Sequence, residues 1–298
     1  MAVTLMRHES IAMLDAFTNK PESCIIEELN RGDEAEALEF LAARPIHTVF
    51  MASLIRDNGL ISLLNRGSFY ACRNLQNQLE GVALIGHATL IESRTAASVR
   101  AFAHLAGHCM NAHLIRGERE AIDHFWKHYS SGGQESRLVC RELLFEQRKP
   151  LPTVEKVNDL RPATLSDLDS VTEVNGALAF EESGTNPLFV DPSGFRQRTA
   201  RRIEQNRVWV WMQEGKLIFK ADIIADTPQA IYLEGIHVHQ EERLKGNGLR
   251  CMTQLGSTLL ARTKAICLTI NERNKDVLKF YERAGYQLRS QYETIYLR

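Results

Sequence analysis

The chain has 298 residues, of which 44% are hydrophobic and 24% are charged, a composition typical of a soluble globular protein. Its formal net charge of −1 provides no global basic field, so nucleic acid is not expected as a partner. No run approaches the ~18 apolar residues of a membrane span, and residues 1–20 lack the apolar core of a signal peptide. We therefore expect neither a membrane partner nor secretion. The length allows two domains of ordinary size.

The cysteines are scattered and include no Cys-x-x-Cys pair. Such spacing favours reduced, mostly buried thiols in the cytoplasm over a disulfide framework. The six cysteines are Cys24, Cys72, Cys109, Cys140, Cys251 and Cys267.

The first half of the chain predicts alternating strands and helices, with Pro45 separating two consecutive helices. The predicted helices cover residues 1–20, 32–41, 46–55, 96–106 and 118–129, and the predicted strands cover residues 24–26, 68–72, 79–86, 112–117 and 137–145.

Residues 147–153 contain two prolines and two basic residues and are interpreted as a linker. This predicts domains of residues 1–150 and 151–298. In the second half we expect strands at 154–161, 208–212, 216–224, 230–236, 265–270 and 292–296, with helices after Thr164, Asp191 and Gly248. Both halves then share one order of elements without a residue-level repeat, which suggests an internal duplication of the fold.

The most informative stretch covers residues 238–250, where a strand passes through a basic turn with two glycines into an amphipathic helix. A helix N-terminus has unpaired N–H groups and a partial positive charge, so this turn predicts an anion site. A dinucleotide fingerprint would need a third glycine at Cys251, and no Gly-Lys-Ser/Thr follows. An ordinary strand-to-helix turn remains the alternative.

Two motifs in this half resemble the signatures of the GCN5-related N-acetyltransferases, the GNAT family. Residues 243–248, Arg-Leu-Lys-Gly-Asn-Gly, resemble the pyrophosphate loop Arg/Gln-x-x-Gly-x-Gly/Ala, and the preceding Val-His lacks the usual proline because Gln240 replaces it. Residues 271–286 resemble the second signature, Asn-x-x-Asn-x-x-Ala-x-x-x-Tyr-x-x-x-Gly-Phe, with Val277 for alanine and Tyr286 for phenylalanine. The match covers roughly residues 157–298.

This resemblance implies a C-terminal GNAT acyltransferase fold, an α/β fold with a mixed sheet. Residues 43–50, 114–126, 180–187 and 219–221 further resemble bacterial GNAT proteins with an extra N-terminal domain of unknown function. The N-terminal half would then be a degenerate GNAT-like α/β domain without the pyrophosphate loop. Its role would be to shape the acceptor cleft or to form a homodimer.

The co-substrate that the resemblance implies is acetyl-CoA, with pantetheine between the strands near 230–238 and 265–270. Main-chain amides of the glycine turn would hold the pyrophosphate. The implied cofactor-binding residues are Ile236, His237, Val238, Arg243, Leu244, Lys245, Gly246, Asn247, Gly248, Leu249, Arg250, Asn271, Asn274 and Tyr281.

Catalysis of amine acylation needs a base for the amine proton and an acid for the thiolate. Tyr281 matches the family's general acid, with a core aromatic as the alternative. Glu234 is the candidate base, because it precedes Val238 by four residues on one strand face. A solvated or acceptor-binding carboxylate is the alternative for Glu234. We expect Glu181 and Glu182, on a loop between helices, to bind a cationic acceptor unless they are simple surface charges.

The pairs His104/His108 and His124/His128 have helical spacing but no third ligand or intervening glutamate, so no metal is expected. The sequence thus predicts an acyl-CoA-dependent N-acyltransferase that acetylates an amine of a small molecule, amino acid or peptide in a ternary complex. A non-catalytic CoA-binding sensor or interaction module on the same fold is the alternative.

Overall fold

A computed structural model describes residues 24–152 and 155–298. Within these residues, twelve strands form a single mixed sheet that is flanked by nine helices. The predicted α/β class with a mixed sheet is confirmed. The helix expected over residues 1–20 lies outside the described residues.

The N-terminal half follows the predicted order with one additional strand. Pro45 occupies the first turn of the second helix, where a missing N–H costs nothing. Only His87 separates β3 from the unpredicted β4, so no turn signal marked that strand. The elements are β1 (Ile25–Glu28), α1 (Glu34–Ala42), α2 (Pro45–Asn58), β2 (Gly67–Arg73), β3 (Leu79–Gly86), β4 (Ala88–Ser93), α3 (Ala96–Ala106), β5 (Leu114–Glu118), α4 (Arg119–Tyr129) and β6 (Ser136–Gln147).

The C-terminal half repeats this order with one additional short helix, Pro187–Val190. The strand expected at 154–161 is wrong for residues 155–159, because regular pairing begins only at Leu160. A reciprocal capping box between Thr164 and Asp167 starts the turn that leads into the next helix. The elements are β7 (Leu160–Pro162), α5 (Leu168–Ser183), α6 (Pro187–Val190), α7 (Pro192–Glu204), β8 (Val208–Gln213), β9 (Lys216–Asp226), β10 (Ile231–Val238), α8 (Asn247–Leu260), β11 (Ile266–Asn271), α9 (Lys275–Arg283) and β12 (Gln287–Leu297).

The two halves exchange their last strands within the sheet. The strand order is β1-β2-β3-β4-β5-β12-β6-β11-β10-β9-β8-β7. Strand β6 from the first half pairs antiparallel with β11, while β12 from the second half lies between β5 and β6. Each half therefore supplies the strand that continues the other half's part of the sheet. The division of the chain at residue 150 stays a prediction.

The halves also share a core. Ile46 and Val49 of α2 pack against Tyr232 of β10 and Cys267 of β11. Apolar surface is thus buried between a helix of the first half and strands of the second, which favours a fixed arrangement of the two. None of the helices in the described ranges is long and apolar enough to cross a membrane.

A buried polar network spans the exchanged strands. Nη2 of Arg116 on β5 lies 3.3 Å from Oε1 of Glu142 on β6 and 2.6 Å from the Tyr232 hydroxyl. Thr269 of β11 and Thr294 of β12 each donate a hydrogen bond to Glu142 at 2.6 Å. Five strands from both halves therefore meet at one ion pair.

Replacing Arg116 by methionine is expected to destabilise the protein by about 3–5 kcal/mol, because Glu142 would keep a buried charge without its cation. Urea unfolding followed by far-UV circular dichroism measures the change. The control is Arg298→Met, which breaks the exposed pair with Glu135 and should cost less than about 1 kcal/mol. A loss below 1 kcal/mol for the Arg116 variant would contradict the importance of this network.

Candidate functional site

The sheet opens between β10 and β11. These parallel strands pair only at Ile231–Ile266 and Tyr232–Cys267, although both strands continue beyond those pairs. Strand β10 remains paired with β9 along this stretch. Between the pairs Glu234–Asp222 and His237–Lys220, β10 contains one residue more than β9. Inserting a residue bends a strand and increases its twist. The strands consequently splay apart from residue 233 onward.

The bulge includes Gly235 in a conformation that favours glycine. It also changes the prediction that Glu234 and Val238 share one face of the strand. Gly235 has φ +59°, in the left-handed region that glycine enters without steric cost. Because the extra residue breaks the two-residue alternation, the spacing of Glu234 and Val238 does not put them on one face. The argument that joined these two residues by spacing is therefore wrong, although Glu234 itself still lines the site.

The splay opens into a cavity of about 810 Å³. Its walls come from the strands β6, β9, β10 and β11 and from the helices α5, α7 and α9. Seven of the residues singled out in the sequence line it, and they are Glu181, Glu182, Glu234, Ile236, Asn271, Asn274 and Tyr281.

Two glutamates of the cavity lie on a helix rather than on the loop that the sequence suggested. Glu181 and Glu182 belong to the last turn of α5, which ends at Gly184 with φ +70°. Glu182 keeps solvent-exposed surface, and its carboxyl group borders the cavity. Burial, followed by the nearby carboxylates of Glu234 and Glu142, raises the pKa of Glu182 to about 7. This carboxyl group can therefore change its charge near neutral pH.

Tyr281 lies on α9 and contributes both to the core and to the cavity wall. Its ring packs edge-on against Phe280 and Tyr286, with centroid distances of 5.0 and 5.6 Å. Burial raises the pKa of Tyr281, so its hydroxyl stays protonated through neutral pH. Both interpretations of Tyr281, core aromatic and acid in the site, are compatible with this position.

Asn271 and Asn274 shape the turn between β11 and α9. The side-chain oxygen of Asn271 accepts a hydrogen bond from the Arg273 amide at 3.0 Å. The side chain of Asn274 caps α9 by accepting from the Val277 amide at 3.4 Å. Asn274 therefore caps a helix, which was one of the two roles expected for it. Both asparagines also line the cavity.

The glycine turn lies outside the cavity, at the open end of the splay. Leu244 and Gly246 have φ +62° and +84°, and Gly246 caps α8 in the left-handed conformation. A Cβ on Gly248 would lie 3.1 Å from Val238 Cγ2 and 3.4 Å from the Phe280 ring, so this turn closes against β10 and α9. Within the described residues, the main-chain N–H groups of residues 244–249 have no acceptor. Successive free amides of this kind form an anion-binding nest.

The side chains of the turn are mostly engaged with neighbours. Arg243 donates from Nε to the Val238 carbonyl at 3.0 Å. Lys245 pairs with Glu242 at 3.0 Å, and Arg250 pairs with Glu155 at 3.2 Å. These are exposed or half-exposed ion pairs that an incoming anion can displace at low cost.

His237 on β10 is not a cation at neutral pH. Burial, followed by the positive charges of Arg243 and Lys220, lowers the pKa of His237 to about 4. His237 and Val238 do not line the cavity, and both lie between it and the glycine turn on the same strand.

Several cavity residues were missed in the sequence. Cys140 and Glu142 come from β6 of the first half, and only the exchanged strand order brings them here. No local signal in the sequence marked the others, because polar residues on helices and strands are usually exposed to solvent. The remaining missed polar residues are Asn175, Arg198, Thr199, Arg202, Asp222, Tyr232, Thr269 and Arg273.

The corresponding opening of the first half is small. Strands β4 and β5 border a cavity of about 60 Å³, where Arg44 forms ion pairs with Glu92 and Glu118. Among the residues that the structure describes, no group of three or more potential ligands could hold a metal ion.

Comparisons with known proteins agree with this fold. Residues 220–295 match the family model described as FR47-like protein, a GNAT-type domain. A comparison with curated proteins finds no match. The predicted resemblance to a GNAT-type domain is confirmed for the matched residues, which contain β10, the glycine turn and α9.

Three solved structures are similar over nearly the whole chain. A Drosophila protein has a TM-score of 0.64 at 12% identity and covers 93% of this chain and 99% of its own. A GCN5-related N-acetyltransferase from Sphaerobacter thermophilus has a TM-score of 0.55 at 13% identity, covering 92% and 95%. A tandem GNAT protein from the clavulanic acid biosynthesis pathway has a TM-score of 0.54 at 14% identity, covering 92% and 98%. At these identities the similarity establishes the GNAT fold alone.

Proposed function

We propose that this protein is an acyl-CoA-dependent N-acyltransferase that transfers acetyl from acetyl-CoA to an amine by direct attack in a ternary complex. The observation that carries the proposal is the splay of β10 and β11, which joins the nest of free amides at α8 to a cavity lined by Glu182, Glu234 and Tyr281. An extended thioester needs such a path from an anion site to a partly enclosed reaction site.

The turn fits the pyrophosphate of coenzyme A. Amides of residues 244–249 would donate to its oxygens, with added charge from Arg243 and Arg250. No described atom lies within 4 Å of the place of a Cβ at Gly246, so the main chain there is open to a ligand. Ile236, His237 and Val238 lead from this turn to the cavity and would border the pantetheine, and Asn271 and Asn274 form the opposite side.

Acyl transfer here requires one proton to leave the amine and one to reach the sulfur. The neutral amine nitrogen attacks the thioester carbonyl carbon, the C–N bond forms, and the C–S bond breaks. Glu234 accepts the proton from the amine, directly or through a water molecule. The hydroxyl of Tyr281 donates its hydrogen to the departing thiolate.

Glu182 would attract the protonated acceptor into the cavity. Its shifted pKa also affects stability, because a carboxyl group whose pKa is raised on folding opposes folding once it ionises. This penalty is absent below the ordinary glutamate pKa of 4.5, grows as the pH rises from there to about 7, and stays constant above.

Glu182→Gln should therefore be more stable than the wild type by about 1 kcal/mol at pH 8, a value reduced for the solvent contact of this carboxylate. The difference should shrink toward pH 5. Urea unfolding at both pH values measures it, with Glu181→Gln as control for a charge change on the same helical turn. A stability gap for Glu182→Gln that does not depend on pH would contradict the shifted titration.

The first half of the chain would shape the acceptor cleft, since β6 contributes Cys140 and Glu142 to the cavity wall. A homodimer remains the other role proposed for it. A cytoplasmic location is proposed from the six cysteines, all within the described residues and all free thiols.

A screen of amines, amino acids and peptides with acetyl-CoA tests the proposal, with release of the CoA thiol as the readout. Turnover with an amine acceptor is the expected result. Calorimetric binding of coenzyme A without turnover on any acceptor would overturn the enzymatic proposal and favour a CoA-sensing module.

A further inference from the structure

We propose that the acceptor carries a carboxylate beside its amine, as an amino acid does, and that Asn175 and Arg202 bind this carboxylate. This inference rests on the proposed function, because the amine must face the glutamates while the acyl group enters from the splay. The proposed carboxylate site would be a second point at which the protein binds the acceptor, in addition to the site of its amine.

Asn175 is the first observation. This residue lies on α5, is only 9% exposed and lines the cavity. Its side-chain Nδ2 has no hydrogen-bond partner within the described residues. A buried amide N–H without an acceptor costs about 1–3 kcal/mol, so the protein maintains an unfavourable group that a ligand oxygen would satisfy.

Charged side chains lie close to the Asn175 amide. The place of a Cβ at Gly235 lies 2.7 Å from Lys220 Nζ, 3.5 Å from Asp222 Oδ2 and 3.6 Å from Asn175 Oδ1. Two cations share the Asp222 carboxylate, because Lys220 Nζ lies 2.9 Å from its Oδ1 and Arg202 donates to its Oδ2 at 3.0 Å. Lys220 and Arg202 therefore share one directly bonded carboxylate beside Asn175, and Glu234 adds a second negative charge near Lys220.

Arg202 has N–H groups that are available to bind a ligand. A guanidinium has five N–H groups, and one hydrogen bond of this side chain, to Asp222, is found within the described residues. Arg198, one turn earlier on α7, also lines the cavity. The face of α7 that borders the cavity therefore offers guanidinium N–H groups to an oxyanion.

The opposite charge lies at the other end of the same wall. Asn175 and Glu182 are seven residues apart on one face of α5, which is about 10 Å along the helix axis. Glu234 lies between these two ends, adjacent to Gly235. An ammonium group near the glutamates and a carboxylate near Asn175 match this division. A simple amine would leave Asn175 Nδ2 and the remaining N–H groups of Arg202 without an acceptor in the ligand.

The test compares matched acceptors. Thiol release from acetyl-CoA is measured with glycine, glycinamide and methylamine, and with the corresponding series of larger amino acids. We expect kcat/KM for at least one free acid to exceed that of its carboxamide and of its decarboxylated amine by tenfold or more. In Asn175→Asp and Arg202→Gln this ratio should fall at least tenfold, chiefly through KM for the acid.

Arg201→Gln is the matched control, because Arg201 is the neighbouring arginine on α7 and instead bonds Asn58 at 3.1 Å. This variant should keep the wild-type ratio. Acylation of amines with equal rates for acids and carboxamides would overturn the carboxylate site and leave the acyltransferase proposal intact.

The absence of thiol release with any amine would instead count against the proposed function. Calorimetric titration of the same compounds in the presence of coenzyme A then decides the carboxylate site separately. Tighter binding of an acid than of its carboxamide, lost in Asn175→Asp, supports it, and equal binding in the wild type overturns it.

Discussion

Replacing Gly246 by aspartate is expected to weaken coenzyme A binding at least a hundredfold, which corresponds to about 2.7 kcal/mol. The residue has φ +84°, and aspartate is one of the side chains that enters this region at modest cost. No described atom lies near its Cβ position, so a clash does not cause the effect. The new carboxylate would instead repel the diphosphate from the amides of residues 244–249.

Isothermal titration calorimetry with coenzyme A measures the loss. Gly215→Asp is the matched control, because Gly215 has φ +78° and an equally open Cβ position in the turn between β8 and β9. The control should change the Kd less than threefold. Gly246→Asn introduces a side chain of similar shape without the negative charge. It should lose less affinity for coenzyme A than Gly246→Asp. Unchanged binding by Gly246→Asp would remove the glycine turn from the proposed site.

Tyr281→Phe is expected to lower kcat for acyl transfer by about 10²–10³-fold, since a positioned proton donor contributes roughly this much. The affinity for coenzyme A should stay within threefold of the wild type, because the ring and its packing against Phe280 and Tyr286 are retained. Steady-state thiol release and calorimetry on the same preparation separate the two effects.

Tyr286→Phe is the control for this experiment. Tyr286 is also buried and its hydroxyl has no hydrogen-bond partner within the described residues, so removing that oxygen should not reduce stability. The kcat of Tyr286→Phe should match that of the wild type. If Tyr281→Phe also turns over normally, Tyr281 is a core aromatic and another group protonates the thiolate.

The elements with strong local signals were predictable. Pro45 and the capping residues Thr164 and Asn274 start turns and helices where the sequence indicated, because each effect depends on neighbours within one helical turn. Strand β4 was missed since a single residue separates it from β3. The strand expected before Leu160 failed because alternation alone does not supply a pairing partner.

The candidate site was predictable in part. Tyr281 as the acid, Glu234 as the base and Glu182 as the cation-binding residue line one cavity. The bulge at Gly235 was not predictable, because the pairing register with β9 decides it. Asn175 and Arg202 also escaped notice, since a polar residue on a helix becomes informative only when its burial and missing partner are known.

The sequence by itself determined the α/β class and the glycine turn, because both follow from short-range patterns of polarity and from backbone angles that few residues adopt. Only the tertiary structure decided that β12 inserts between β5 and β6. Strands with similar alternation are interchangeable locally, and their place in a sheet depends on long-range packing. That exchange brings Glu142 of the first half to the cavity of the second.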